Sequence, residues 1–227
     1  MDDLVGTQAP GCRLTDPAES VAELERVLPG LVAHRRPTPV AVDWPRLENV
    51  LGTALPADYK LLCELYPLFE LSDFLRVGGP VAGAEVAWVT EDLEIVTEWC
   101  ENADLAVPLH PYPAPGGLLP WTSSNQGDFF LWTTSPAGPQ EWTVTVASRN
   151  GAWWHYTGGA VQFLADLVSG VREPWALPQS DPRSPGFADQ SPVTDERRDA
   201  VHEWLQALAV VLFAPEIPGT PGVRSGR

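Results

Sequence analysis

The sequence predicts an α+β fold, in which helical segments precede and follow a meander of three short β-strands. The meander lies within residues 121–170, where runs of β-branched and aromatic residues are separated by turn residues. The three runs are Phe129–Thr133, Trp142–Val146 and Trp153–Tyr156. Asn150-Gly151, between the last two runs, is typical of a tight hairpin turn.

After the last predicted strand, the spacing of the apolar residues changes. Four of them recur three and four positions apart, as on one face of a helix: Val161, Leu164, Leu167 and Val168. Gly170 can end this helix. A helix with one apolar face must bury that face, so we expect it to lie across the meander.

Length and cysteine content predict one main domain with extensions. The chain has 227 residues, which is enough for a single core, and no apolar run long enough to cross a bilayer. Its N-terminus lacks the basic and apolar segments of a signal peptide. Cys12, Cys63 and Cys100 are odd in number and too widely spaced to form a disulfide framework. We therefore expect a cytoplasmic protein that does not bind a membrane.

The charge balance is the main global indication of a partner. Thirty acidic residues against fourteen basic ones give a formal net charge of −16. Binding to nucleic acid needs basic side chains that neutralise phosphates, so direct contact with DNA or RNA is disfavoured. The same field attracts a basic macromolecule and speeds its encounter. An acidic surface that serves solubility alone is the alternative explanation.

Residues 1–42 are predicted to be an N-terminal extension. It begins with a loose tail over residues 1–15. Asp16-Pro17-Ala18-Glu19 then has the pattern of a helix start, and the helix is predicted to end by Leu28. Residues 34–42 are expected to be a proline-rich connector.

Two helices are predicted at the start of the main domain, which spans residues 43–172. Asp43-Trp44-Pro45 begins the first helix, and Gly52 ends it. The second begins near Leu55-Pro56 and ends before Pro67.

The following stretch is predicted to alternate between strands, a helix and a loop. Phe74–Val77 is expected to be a strand, whereas Glu85–Val89 fits either a strand or the entry to a helix. Residues 107–120 are rich in Pro and Gly and are predicted to be a loop.

Residues 91–104 are predicted to form an acidic helix. Helical spacing places Glu91, Glu94, Glu98 and Glu101 on one stripe, with Leu93 and other apolar residues on the broad opposite face. No Lys or Arg occurs between Glu85 and His110, and like charges at this spacing repel. The stripe is either a solvated helix face or an acidic patch for a cationic partner.

The C-terminal part is predicted to lie outside the main domain. Residues 173–193 contain many prolines and are expected to be a linker. Residues 194–214 form a predicted helix whose apolar face docks on the domain, and residues 215–227 are expected to be a disordered tail.

The sequence carries no strong signature of an enzyme or of a cofactor site. The four histidines are scattered, and there is no HExxH motif, no His/Cys metal spacing, no GxSxG elbow and no phosphate-binding loop. We therefore expect no metal, no cofactor and no enzymatic activity. A hydrolase built on Ser123, His155 and Asp128 is a remote alternative.

Three motifs resemble those of the SUKH superfamily, the Smi/Knr type. The first is Leu47-Glu48-x-x-Leu51-Gly52-x-x-Leu55-Pro56-x-Asp58-Tyr59-Lys60. Trp121–Asp128 followed by Phe129–Trp132 is similar to the later Gly-Asp strand motif of the family, and Val161-Gln162-Phe163-Leu164-x-x-Leu167 is similar to its closing helix. The chain departs from the family at Tyr66-Pro67-Leu68-Phe69-Glu70, where a Gly-rich or Asn-Gly turn is usual.

The resemblance implies a mixed, mostly antiparallel sheet with helices packed mainly on one side. It also implies a protein-binding role. Bacterial members are typically immunity proteins that neutralise toxins, often nucleases or deaminases, whereas other members are intracellular regulatory interaction modules. Both roles remain open at this point.

We predict that the chain is a non-enzymatic immunity protein that binds a basic toxin domain through acidic side chains. The predicted contact residues are Asp73, Glu91, Glu94, Glu98, Glu101, Trp121 and Asp128. For Asp128 the alternative is a turn residue whose carboxylate accepts backbone N–H groups. For Trp121 the alternative is a place in the core. The sequence does not define the oligomeric state.

Overall fold

The computed structural model confirms the α+β class and a mixed, mostly antiparallel sheet. It describes residues 4–72, 74–80, 84–102, 109–175, 177 and 185–186. The described strands are β1 (Leu4–Gln8), β2 (Phe69–Leu71), β3 (Leu75–Val77), β4 (Leu118–Ser123), β5 (Phe129–Thr133), β6 (Thr143–Ala147), β7 (Trp153–Tyr156) and β8 (Pro185–Gly186). The described helices are α1 (Pro17–Val27), α2 (Pro29–Val32), α3 (Trp44–Leu51), α4 (Ala57–Leu65), α5 (Glu85–Asn102) and α6 (Ala160–Val168).

The larger sheet has five strands in the order β1-β7-β6-β5-β4. β4 to β7 form an antiparallel meander, and β1 pairs with β7 in parallel. A smaller sheet has the order β3-β2-β8, and a hydrogen bond of 2.9 Å from the N–H of Asn125 to the carbonyl of Phe74 joins it to the larger one.

The two faces of the large sheet contribute to different apolar clusters. Residues that alternate along the strands, among them Phe130, Trp132 and Trp154, belong to the main core together with residues of α1, α4 and α6. The other face contributes to a smaller cluster in which Phe129 and Leu131 pack with Val96 of α5. The sheet is therefore covered mainly by helices of the N-terminal half and by α6 on one side, and by part of α5 on the other.

Several predicted elements are confirmed. β5 and β7 have the predicted bounds, β6 is shifted by one residue, and α6 follows β7. Asp16 caps α1, because its Oδ1 accepts hydrogen bonds from the N–H groups of Ala18 (2.7 Å) and Glu19 (3.2 Å). Gly52 ends α3 with a φ of 74°, a conformation that favours glycine. Of the two alternatives left open for residues 85–89, the helix is the one observed.

The prediction of a loose tail over residues 1–15 is wrong from Leu4 onward, because the described segment, residues 4–15, is tied to the sheet and to α6. β1 lies in it, and the side chain of Gln162 donates to the carbonyl of Cys12 (2.7 Å) and accepts from the N–H of Leu14 (3.0 Å). The guanidinium of Arg13 donates to the carbonyls of Thr157 (2.5 Å), Gln140 (2.6 Å) and Trp142 (2.8 Å). The N-terminal residues therefore complete the main domain.

β4 and β2 also lie where the sequence predicted no strand. β4 begins at Leu118, inside the predicted loop, although it contains Pro120. Proline is tolerated there because β4 is an edge strand of the larger sheet. β2, which follows Pro67 and Leu68, forms an antiparallel hairpin with β3.

The description of residues 173–193 as a linker also needs correction at its start. Leu177 is buried in the main core, and Trp175 packs against it. The high proline content of this stretch predicted a linker, so these two apolar residues were not assigned to the core. The predicted C-terminal helix and tail, residues 194–227, lie outside the described part of the chain.

Candidate functional site

Helix α5 presents an acidic groove. Leu93, Glu94, Thr97, Glu98 and Glu101 line an open groove of about 440 Å³. Their spacing of one, three and four positions places them on one helix face. The three glutamates are exposed, and Leu93 is partly buried because it packs against the main core. The groove therefore combines the apolar side chain of Leu93 with three carboxylates.

The opposite side of α5 holds this face toward solvent. Val96 is fully buried, and it packs with residues of β4 and β5 in the smaller apolar cluster. Nearer the start of α5, the indole of Trp88 stacks on the ring of Tyr59, with a centroid distance of 5.9 Å and an interplanar angle of 23°. Burial of these apolar groups fixes the rotation of the helix about its axis.

The stretch of sequence around α5 contains no basic residue. From residue 77 to residue 148 the sequence contains no Lys and no Arg. The same stretch contains these acidic residues: Glu85, Glu91, Asp92, Glu94, Glu98, Glu101, Asp104, Asp128 and Glu141. Because like charges three or four positions apart repel by about 0.2–0.5 kcal/mol per pair, the stripe is slightly unfavourable for the isolated helix.

Three acidic side chains in other helices have basic partners. Glu23 pairs with Arg26 at 2.6 Å, Glu48 with Lys60 at 2.7 Å and Asp166 with Arg172 at 3.4 Å. Within the described part of the chain, Glu94 and Glu101 enter no such pair. Glu94 and Glu101 therefore differ from these three acidic side chains, since they have no basic partner among the described residues.

The predicted contact residues fall into three groups. Glu94, Glu98 and Glu101 meet in the groove. Asp73 and the side chain of Glu91 lie outside the described part of the chain, although the backbone of Glu91 belongs to α5. Trp121 and Asp128 are buried elsewhere, as described next.

Trp121 lies in the core, which corrects the expectation that it contacts a partner. Its side chain is 1% exposed. It stacks on Trp132 with a centroid distance of 6.0 Å and meets Phe163 of α6 edge to face at 6.4 Å. A side chain enclosed between the sheet and a helix cannot contact a partner protein, so Trp121 has the core position considered as the alternative.

Asp128 organises two turns, which corrects its assignment as a partner contact. It is 2% exposed. One carboxylate oxygen accepts a hydrogen bond from the hydroxyl of Ser124 (2.6 Å), and the other accepts one from the backbone N–H of Arg149 (3.0 Å). The carboxylate thus links the β4–β5 turn to the β6–β7 turn, which is the role considered as the alternative.

His155 belongs to a polar ladder across three strands. Its Nδ1 lies 3.0 Å from Oγ1 of Thr145, which lies 2.7 Å from Oγ1 of Thr133. Burial lowers the pKa of this imidazole. Among the described contacts, the partners of Asp128 are Ser124 and Arg149 and the partner of His155 is Thr145, so the geometry joins no Ser123-His155-Asp128 relay.

The groove includes two residues that sequence analysis did not select. Leu93 was expected on the buried face of the helix, and Thr97 was not considered. Both sit at the border of the acidic stripe, one position before Glu94 and Glu98 respectively. This adjacency could have indicated both residues, because a residue at the border of an exposed helix face is partly exposed together with its neighbour.

Comparisons with protein-family models, with curated proteins and with solved structures find no match to this chain. In the described ranges, no helix is long and apolar enough to cross a membrane. Nor do the described His, Cys, Asp and Glu side chains form a group of three or more that could hold a metal ion.

Proposed function

We propose that the chain is a non-enzymatic, cytoplasmic immunity protein that binds and neutralises a cognate toxin domain of the nuclease or deaminase type. One observation carries the proposal: α5 exposes Glu94, Glu98 and Glu101 along a groove, with no Lys or Arg in the surrounding stretch of sequence. The resemblance of three motifs to the SUKH superfamily supports the same role.

The physical basis is charge complementarity. A toxin that acts on nucleic acid needs basic side chains along its substrate channel to neutralise phosphates. An acidic helix face attracts such a channel at long range and raises the association rate constant. Leu93, which borders the carboxylates, offers apolar surface that slows dissociation once the partner is seated.

Co-expression with the toxin domain encoded beside the gene tests the proposal. Rescue of the host, together with a complex that is recovered by pull-down and weakened by salt, would support it. The matched comparison is the variant Glu94→Lys/Glu101→Lys, which should rescue poorly although it folds. A chain that neither rescues the host nor forms a complex would overturn the toxin assignment and favour a regulatory interaction module with an endogenous partner.

A further inference from the structure

We propose that β1 and the strap form a latch that opens as one local unit and exposes the outer edge of β7. The strap is defined as residues 172–175, which follow α6. The latch is a conformational device at the opposite end of the sheet order from β4, and its contacts do not include the acidic residues of the groove on α5.

The first contact of the latch is a pair of hydrogen bonds between a side-chain amide and the backbone. The Nε2 of Gln8 donates to the carbonyl of Glu173 at 2.8 Å, and its Oε1 accepts from the N–H of Glu173 at 3.2 Å. An amide side chain that meets one residue in both directions imitates the pairing of a neighbouring strand. Gln8 therefore ties the end of β1 to the strap.

The second contact is an aromatic ring packed on a glycine. A β-carbon at Gly6 would lie 3.2 Å from Cζ3 of Trp175, so the indole rests directly on the backbone of β1. The same indole meets Trp154 of β7 edge to face, with a centroid distance of 5.8 Å. Its Nε1 donates to the carboxylate of Glu173 at 2.7 Å. Trp175 thus covers the place where β1 lies beside β7.

The backbone pairing that holds β1 is of a weaker kind. It is a five-residue edge strand in parallel pairing, and its register with β7 shifts between Leu4 and Gly6. Parallel pairs are somewhat less stable per residue than antiparallel ones, and short edge strands open most easily. Thr7 is already exposed. Loss of the strap contacts should therefore free the whole strand.

The chain beyond β1 stays attached when the strand opens. Ala9-Pro10-Gly11 separates β1 from the anchor, and Gly11 has no neighbouring atom near its β-carbon position. The anchor consists of Arg13, which donates to three carbonyls, and of the segment bonded to Gln162. The strand can therefore leave and return without diffusing away, which favours rapid reclosure.

Opening removes the partner of β7 and uncovers an indole. The N–H of Thr157 donates to the carbonyl of Gln8 at 3.0 Å when the latch is closed. Trp154, which is fully buried, would lose the ring of Trp175. An uncovered sheet edge can pair with another chain, so the closed latch protects β7 from such pairing.

Hydrogen exchange of individual backbone amides in the full chain tests the latch. Thr157 reports on the latch, and Val146, in the centre of the meander, reports on the core. We expect Thr157 to exchange faster than Val146 in the parent protein. Trp175→Ala and Gln8→Ala should each accelerate Thr157 by roughly tenfold with little effect on Val146.

Two further variants sharpen the result. Gly6→Ala crowds the indole of Trp175 and also strains the backbone of β1, because Gly6 has a φ of 154°, so it should accelerate Thr157 at least as much as Trp175→Ala does. Val171→Ser, at an exposed apolar residue just before the strap, should leave both amides unchanged. Equal exchange rates of Thr157 and Val146 in the parent and in Gln8→Ala would overturn the proposal, since β1 would then open only with the whole domain. Gln8→Ala keeps this test valid if Trp175→Ala does not fold.

Discussion

The carboxylate of Asp58 accepts a hydrogen bond from the backbone N–H of Val161, at 3.4 Å and across 103 positions of sequence. Its other oxygen accepts from the N–H of Tyr59 at 2.8 Å. Asp58 thus lies at the N-terminal ends of both α4 and α6, where backbone N–H groups are unpaired and a negative charge is favoured. This contact joins the segment around α4 to the start of the segment Val161–Leu167, which lies about one hundred positions later in the sequence.

Removal of the Asp58 carboxylate should destabilise the domain. Asp58→Ala leaves two backbone N–H groups without an acceptor, and each buried unsatisfied group costs about 1–3 kcal/mol. We expect the free energy of unfolding, measured by urea denaturation, to fall by at least about 1 kcal/mol. An unchanged value would mean that the contact with Val161 does not stabilise the fold.

The same residue predicts a pH dependence. Burial raises the pKa of Asp58, and hydrogen bonds from the backbone oppose the rise without cancelling it. The folded chain therefore binds the proton more tightly than the unfolded chain does. The stabilisation that comes from this tighter proton binding is fully present below the ordinary pKa of 3.8. It is lost as the pH rises through the pKa of Asp58 in the folded chain. The free energy of unfolding of the parent should therefore fall from about pH 4 upward, relative to that of Asp58→Asn. Plots of this free energy against pH that run parallel for the two proteins would contradict the prediction.

His155 predicts a pH dependence of the opposite sign. Burial lowers its pKa, so the unfolded chain binds this proton more tightly. The stabilisation linked to His155 is fully present above its ordinary pKa of 6.5 and is lost as the pH falls through the lower pKa of the folded chain. Between about pH 7.5 and about pH 5.5, the free energy of unfolding measured with urea should decrease more for the parent than for His155→Gln. His110→Gln, at an exposed histidine, is the matched control and should behave like the parent.

The Cys63 thiol should be unreactive in the folded protein. It is buried beside Gly79, and burial raises its pKa to about 12. A thiol reagent at neutral pH should label the exposed Cys12 first and Cys63 only after unfolding. A β-carbon at Gly79 would lie 2.5 Å from the Cys63 sulfur, so Gly79→Ala should disturb this packing and speed the labelling of Cys63. Rapid labelling of Cys63 in the parent would contradict its burial.

Trp121 and the groove glutamates should respond differently to substitution. Trp121→Ala removes a buried aromatic side chain and should lower the free energy of unfolding by about 3–5 kcal/mol. Glu94→Lys, at an exposed position, should change it by less than about 0.5 kcal/mol. Thermal and urea unfolding of both variants check this contrast. A mild effect of Trp121→Ala would return that residue to the list of possible surface contacts.

Local sequence patterns predicted the elements whose structure depends on near neighbours. Phe129–Thr133 and Trp153–Tyr156 have strand-like residues bounded by turns, and the glutamates of α5 follow helical spacing, so both were found. β1 was missed because Leu4–Gln8 is short and contains Gly6. It becomes a strand only through parallel pairing with β7, almost 150 positions later.

The same limit applies to the candidate site. Spacing brought Glu94, Glu98 and Glu101 together, because residues three and four apart share a helix face. It could not show that Trp121 points into the core, since alternation along a strand does not reveal which face is covered. Nor could it show that Asp58 meets Val161, a contact that exists only after α4 and α6 have packed.

The measurement that tests the central claim most directly is the association rate constant with the cognate toxin domain as a function of salt. It compares the parent with Glu94→Lys/Glu101→Lys on α5 and with Glu19→Lys/Glu141→Lys at exposed positions elsewhere. Each Glu→Lys adds two charges, so both variants change the net charge from −16 to −12.

We expect the α5 variant to associate roughly tenfold more slowly at low ionic strength, and the control variant to change much less. The difference should shrink as salt screens the charges. Equal slowing in both variants would mean that net charge alone steers the encounter, and unchanged rates in both would mean that the acidic face of α5 is an ordinary solvated surface. Either result would contradict the assignment of α5 as the partner-binding face.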